Sequence, residues 1–197
     1  MQVLNPQLAD DLAHDRPVSI AIGAGGERDE GHYTLDIRDM DGIDIVADLN
    51  EPLDGLPDRS VRSVHAHHVL EHVRELDALM DELHRVLRPD GVLQVIVPHW
   101  ANPLGHSDPT HVRLFGLYSF GYFVGLDDQP FDRKVPTYRD DHRFRILSLG
   151  LGFRSTGWFG STVQRQVNRS MRRMELYERN AARVYWPYEI RCELAPA

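Results

Sequence analysis

Four histidines and one glutamate fall within nine positions of this 197-residue chain, in the stretch His65-Ala66-His67-His68-Val69-Leu70-Glu71-His72-Val73. His68, Glu71 and His72 stand in the H-x-x-E-H order of an inverted zinc-protease motif. On a helix, His68 and His72 would share a face, as two ligands of one metal must. A second group, His99, His106, Asp108 and His111, lies further on in PHWANPLGHSDPTH (98–111). An imidazole with a pKa near about 6.5 suits the abstraction of a proton from a nucleophile. His99 and His111 are therefore the candidate general bases, with Asp108 as orienting partner. The same three histidines could instead hold a metal, and Asp108-Pro109-Thr110-His111 could be a plain turn that caps the next helix.

The elements that must position these groups are read from hydrophobic pattern. VSIAIG (18–23), YTLDI (33–37), IDIVADL (43–49), VRSVHAH (61–67) and VLQVIVPH (92–99) are short apolar runs bounded by turn residues, as strands of a parallel sheet covered on both faces would be. Val69, Val73, Leu76, Met80, Leu83 and Leu87 form one apolar helical stripe, stopped by Pro89-Asp90-Gly91. Strand, helix and strand in that order make a crossover unit and predict an α/β doubly wound domain. Only nine residues, 24–32, join the first two strands, so the first crossover helix is expected to be shortened or absent. HRFRILSLG (142–150) and YEIRCELA (188–195) read as further strands and 161–183 as an arginine-rich helix. The sheet should have six to seven strands in a single domain. It would comprise a core at 17–99, a substrate-covering insertion at 100–140 rich in Pro, Gly, Asp and aromatics, and a C-terminal part at 141–197.

Position along such a sheet confers function on particular residues. Ligands of open α/β sheets bind beyond the carboxyl ends of the strands. Those ends carry Gly23-Ala24-Gly25-Gly26, Asp36, Asp48, His65–His68 and Pro98-His99. Glycines permit close backbone approach. A carboxylate after the second strand commonly grips a ribose diol, and one after the third could hold the amino group of a base. His68 reads equally as a wall of that crevice or as a structural cap. His65, within its strand, reads as a buried hydrogen-bonded side chain.

Composition narrows the partners. A formal charge of −8 argues against an electrostatically bound nucleic acid, although residues 165–183 hold six arginines against two glutamates. That basic segment could meet an acidic substrate group or be a solvated helix face. A single cysteine, Cys192, offers neither a disulfide nor a thiolate metal site. No leader and no membrane span are expected, which predicts a cytoplasmic protein with no membrane partner.

Together, AIGAGG, YTLDI, IVADLNEPL, HHVLEHV and LHRVLRPDGVLQVIVPH resemble a class I S-adenosylmethionine-dependent methyltransferase, of the type-11 group of small bacterial enzymes. The resemblance spans about residues 18–99. It implies a Rossmann-like sheet and S-adenosylmethionine as cofactor. By that resemblance Gly23, Ala24 and Gly25 would border the methionine part, Asp36 with Ile37 the ribose, and Asp48 with Leu49 the adenine. The backbone of Ala66, His67 and His68 would lie beside the methionine amino end and the sulfonium. The acidic residue usual two positions before the first glycine is Ala21 here. The implied activity is methyl transfer to a small-molecule N, O or C acceptor, with a homodimer left open. Rival readings are a catalytically silent cofactor-binding or partner protein, non-methyl chemistry with the same cofactor, and an HxxEH zinc hydrolase. Phe115, Tyr118, Phe120, Tyr122 and Phe123 would line an acceptor pocket or pack the insertion.

Overall fold

A computed structural model describes residues 1–25, 31–138, 143–154 and 158–197. They divide into two compact units, Met1–Gln94 with Ala195–Ala197, and Val95–Leu194.

The first unit begins with β1 (Gln2–Val3) and α1 (Pro6–Ala13). It continues through β2 (Val18–Ile22), β3 (Tyr33–Asp36), β4 (Ile45–Val46), β5 (Val61–His67) and α2 (Leu76–Val86) into β6 (Leu87–Pro98). Its strands lie in the order β1-β4-β3-β2-β5-β6. β2 pairs in parallel with β3 (Ile20↔Tyr33, Ile22↔Leu35) and with β5 (Ile20↔Val64, Ile22↔Ala66), and β3 in parallel with β4. Ile20, Ile22, Leu35, Val64 and Ala66 are buried at this centre, so the continuous apolar runs do mark strands covered on both faces. The expected strands at 18–23, 33–37 and 61–67 stand where the pattern placed them. The run at 43–49 is regular only at Ile45–Val46, and Asp48 lies in the loop beyond.

β6 runs on into the second unit, where β8 (Glu189–Pro196) lies between it and β7 (Phe144–Gly152). The sheet is thus an open α/β sheet of eight strands. The count exceeds the expected six to seven by β1, a two-residue edge strand paired antiparallel with β4. Sequence reasoning passed over this edge and α1, although Asn5-Pro6 is a helix start. Asn5 Oδ1 accepts from the Gln7 N–H at 2.9 Å, with Pro6 in the first turn. The segment expected to lack a crossover helix includes 26–30, outside the described residues, as is residue 142 of the expected sixth strand.

Two helix boundaries differ from the pattern for a physical reason. The stripe predicted a helix from Val69, but Leu70–His72 form one 3-10 turn, Val73 is extended, and α2 starts at Leu76. His68 has a left-handed backbone (φ +51) that ends β5 abruptly. The Asn50 carboxamide oxygen accepts from the N–H of Arg74 at 2.8 Å and of Glu75 at 3.3 Å, and so caps the approach to α2. Likewise the arginine-rich segment is two helices, α3 (Trp158–Val167) and α4 (Met171–Asn180). Asn168 breaks them apart because its carboxamide pairs with both backbone groups of Leu151 in β7, at 2.8 and 2.9 Å.

Within the second unit, residues 99–138 carry short 3-10 turns at Pro103–His106, Ser119–Phe123 and Leu126–Asp128. Phe115, Phe120 and Phe131 are buried, with the first two stacked at 5.6 Å. These three pack the insertion, whereas Tyr122 is 44% exposed and Tyr118 and Phe123 are half-buried. Buried Gln129 holds the loop together: its Nε2 donates to the carbonyls of Gly121 and Val135 at 3.0 Å, and its Oε1 accepts from the Val135 N–H at 2.9 Å.

Arg85 clamps residues 53–58 to α2. It donates to Glu82, to Asp58 and to the Leu56 carbonyl at 2.7–2.9 Å, and Glu82 in turn accepts from the Leu53 N–H at 2.8 Å. The Arg85 hydrogen bonds, with help from Leu53, hold the Glu82 carboxyl below its ordinary value of 4.5. An unfolded chain therefore binds the proton more readily. Stability from Glu82 is full above pH 4.5 and is lost as pH falls through the lower folded value. Replacing Arg85 with Met should destabilise the fold by about 2 kcal/mol in urea titrations at neutral pH. The deficit should shrink in parallel titrations on the acid side.

Candidate functional site

The turn after β2 is bound to the end of β3. The Gly23 and Ala24 N–H groups donate to the Leu35 carbonyl at 2.8 and 3.3 Å, and Gly25 N–H donates to Asp36 Oδ2 at 3.0 Å. Both glycines have left-handed backbones, φ +69 and +60. A Cβ on Gly23 would stand 2.4 Å from Val69 Cγ2, so only glycine lets this turn lie against the residue just past the β5 end. Among the described residues, a Cβ on Gly25 would meet nothing within 4 Å.

Asp36 is 8% exposed and its carboxylate is held from both sides, Oδ2 by Gly25 N–H and Oδ1 by Arg38 N–H, each at 3.0 Å. Each oxygen keeps a second lone pair, the acceptor set that a vicinal diol needs. Ile37, next to it, is 61% exposed. Asp48 Oδ1 accepts from the Asn50 N–H at 2.9 Å and from Asn50 Nδ2 at 2.8 Å. Those bonds, and the Arg74 charge after them, hold the Asp48 carboxyl below its ordinary value. Asp48 is therefore an ionised acceptor suited to an exocyclic amino group. Leu49 beside it is buried. Asn50 thus ties the Asp48 loop to the start of α2. Periodicity could not have shown this; only the Asp-Leu-Asn spacing hinted at an Asx turn.

At the end of β5, Ala66 is buried, His67 exposed and His68 half-buried, with the two imidazoles 4.7 Å apart. His68 Nδ1 is 3.4 Å from Oε1 of buried Glu71. Because α2 begins only at Leu76, His68 and His72 do not occupy one α-helical face, the premise of the H-x-x-E-H reading. His65 lies within β5, its ring 3.9 Å from that of His32. The glycine turn, Asp36, Asp48 and the β5 end all belong to the first unit and fit a nucleoside-bearing cofactor: a glycine cradle, a diol acceptor and an amino acceptor.

The second histidine group is not brought to one point. His99 is 1% exposed; its Nδ1 accepts from the Ala101 N–H at 3.1 Å and its Nε2 faces Glu178 Oε2 at 3.1 Å. Nδ1 being an acceptor, Nε2–H is the donor to Glu178. A buried ring with both nitrogens engaged holds the chain end of β6 and has no nitrogen open to an acceptor's proton. His106 Nε2 donates to the Trp100 carbonyl at 2.7 Å. His111 Nδ1 donates to the Gly105 carbonyl at 2.6 Å, which leaves the lone pair of the neutral ring on Nε2. Asp108 stands 3.9 Å from that nitrogen, while its Oδ1 accepts from the Thr110 N–H and hydroxyl at 2.8 and 2.6 Å. The turn alternative therefore describes Asp108, and the Gly105 carbonyl orients the ring. His111, His106, Asp108 and Arg113 line a cavity of about 250 Å³ within the second unit.

Residues 30–95 match the family described as a methyltransferase domain. No curated protein matches the chain. Among solved structures, a SAM-dependent methyltransferase from Archaeoglobus fulgidus is similar over 96% of this chain and 91% of its own, at 14% identity and a TM-score of 0.55. The complex between the Haloferax volcanii Trm112 methyltransferase activator and the putative methyltransferase contains a chain similar over 95% of this one and 88% of its own, at 12% identity and 0.54. An S-adenosylmethionine-dependent methyltransferase from Mesorhizobium loti gives 94% and 96% coverage, 14% identity and 0.50. The fold is that of these class I S-adenosylmethionine-dependent methyltransferase structures, and residues 30–95 are similar to a methyltransferase domain. That likeness implies S-adenosylmethionine as cofactor. Among the described residues no helix is long and apolar enough to cross a membrane.

Two substitutions test the carboxylates by calorimetry. Asp36→Ala should weaken S-adenosylhomocysteine binding by about tenfold or more, the loss of two charge-assisted hydrogen bonds. Asn50→Ala should weaken it only several-fold, through a loosened Asp48, and lower the melting temperature by about 2–4 °C through the lost cap on α2.

Proposed function

We propose that this protein transfers the methyl group of S-adenosylmethionine to a nitrogen, oxygen or carbon of a small molecule. The observation that carries the reading is the glycine turn bound to Asp36, with Asp48 ionised on the next strand end. When bound, the cofactor supplies a methyl group on a sulfonium, an electrophile that needs only a positioned nucleophile. Asp36 accepts from the ribose hydroxyls, Asp48 from the adenine amino group, and the turn at Gly25 takes the methionine end. The Ala66–His68 backbone, turned sharply at His68, borders the methionine amino end and the sulfonium.

His111 is the proposed general base, with its lone pair on Nε2 and its ring oriented from Nδ1 by Gly105. General-base assistance of this kind is worth roughly 10²–10⁴-fold in rate. The net charge of −8 favours a small acceptor over nucleic acid. A cytoplasmic location belongs to the same proposal. For the partner-protein and zinc-hydrolase rivals, no observation is comparable to the paired carboxylates.

Titration calorimetry should show saturable binding of both S-adenosylmethionine and S-adenosylhomocysteine. Absence of heat from either at millimolar concentration overturns the reading. On an acceptor found by S-adenosylhomocysteine release, His111→Ala should lower kcat by about 10²-fold with cofactor affinity unchanged. Normal turnover would remove His111 from the mechanism.

A further inference from the structure

One cavity takes no part in the chemistry above. It encloses about 610 Å³ within the second unit, and its lining includes Arg133, Arg172, Arg179, Arg183 and Trp100. Arg172 and Arg179 lie seven residues apart on α4, two turns along one face. Arg183 lies just past the end of α4, and Arg133 comes from the insertion.

Three carboxylates, Asp132, Glu175 and Glu178, share the lining, but the two on α4 are already engaged. Glu178 accepts from His99 Nε2 and from the Leu117 N–H, at 3.1 and 2.9 Å. Glu175 accepts from the Tyr118 hydroxyl at 3.0 Å and from the N–H groups of Asp132 and Arg133 at 3.2 and 3.1 Å. Burial and that bond push the Tyr118 hydroxyl up to about 12, so it stays a donor. Among the described residues, none of the four guanidinium groups forms an ion pair with a carboxylate; Arg183 lies over the Trp100 ring at 5.6 Å. Elsewhere in the fold Arg85 and Arg191 do pair with carboxylates, at 2.6–2.8 Å.

Four guanidinium groups, none in an ion pair, outnumber the three carboxylates of the lining, and two of those carboxylates are turned to other donors. Each guanidinium presents a planar fork of N–H groups that matches two oxygens of a phosphoryl or carboxylate group. The volume is that of a small-molecule site. We propose that this cavity binds a small molecule through a multiply charged oxyanion group, phosphoryl or carboxylate. Arg172, Arg179 and Arg133 grip the oxygens, and Trp100 holds Arg183 in place through its ring face. This site stands independently of the methyl-transfer reading.

Calorimetry on the full chain at low ionic strength, with inorganic pyrophosphate and separately with citrate, tests it. At least one should bind saturably at one per chain, and which of the two binds identifies the oxyanion. The paired substitution Arg172→Gln with Arg179→Gln should weaken that binding by about tenfold or more. Arg165→Gln with Arg169→Gln, in the same basic stretch but outside the cavity, should leave it within about twofold. All these side chains are exposed, and an unchanged melting temperature and far-ultraviolet circular dichroism verify an intact fold. Arg183→Gln supplies a second, independent loss. No binding of either oxyanion, or equal losses in the cavity and control pairs, overturns the proposal.

Discussion

The first unit depends on one short row of hydrogen bonds: three successive N–H groups, from Gly23, Ala24 and Gly25, held by the Leu35 carbonyl and the Asp36 carboxylate. A chain leaving β2 would otherwise have to satisfy those donors with water. Here the end of the neighbouring parallel strand takes them, and doing so fixes the Asp36 carboxylate. Two left-handed glycines make that path possible, and the missing Cβ of Gly23 lets Val69 pack behind it. Cradle and diol acceptor are thus one device. Neither can be moved without the other.

The second unit solves a similar problem with a helix. Residues 99–133 contain little repetitive structure, and the N–H groups that their short turns leave over need partners from elsewhere. Glu175 and Glu178, three residues apart on α4, meet five groups of that segment. Buried Gln129 closes a further set from within. Because the two glutamates are committed inward, Arg172 and Arg179 of the same helix form no ion pair with them.

Legibility in the sequence depends on how local each cause is. β2, β3 and β5 are legible because apolar runs between turn residues are a local property, and Asp36 and Asp48 because they sit at strand ends. The start of α2 is not legible: Asn50 sets it from 24 residues away, overriding the stripe at Val69 and Val73. His99 resembles a base for the same reason that Asp36 resembles a ligand group, since both stand at the carboxyl end of a strand. Only Glu178 shows that His99 is buried support, and no spacing rule connects the two. The break between α3 and α4 depends on Asn168 reaching β7, which an amphipathic pattern cannot show. The basic stretch at 165–183 is visible as composition, but which of its arginines share a cavity is not.

The glutamates of α4 also set an order in time. Their bonds to the insertion close chain segments of 42 to 79 residues. At roughly 5–20 residues per second, the ribosome makes His99 about 4 to 16 seconds before Glu178. Throughout that interval the insertion has its own aromatic cluster and Gln129 but neither carboxylate. Its folding must therefore finish late, after translation has passed α4, and a chain halted before residue 175 would carry the insertion with the N–H groups of Leu117, Asp132 and Arg133 still turned to water.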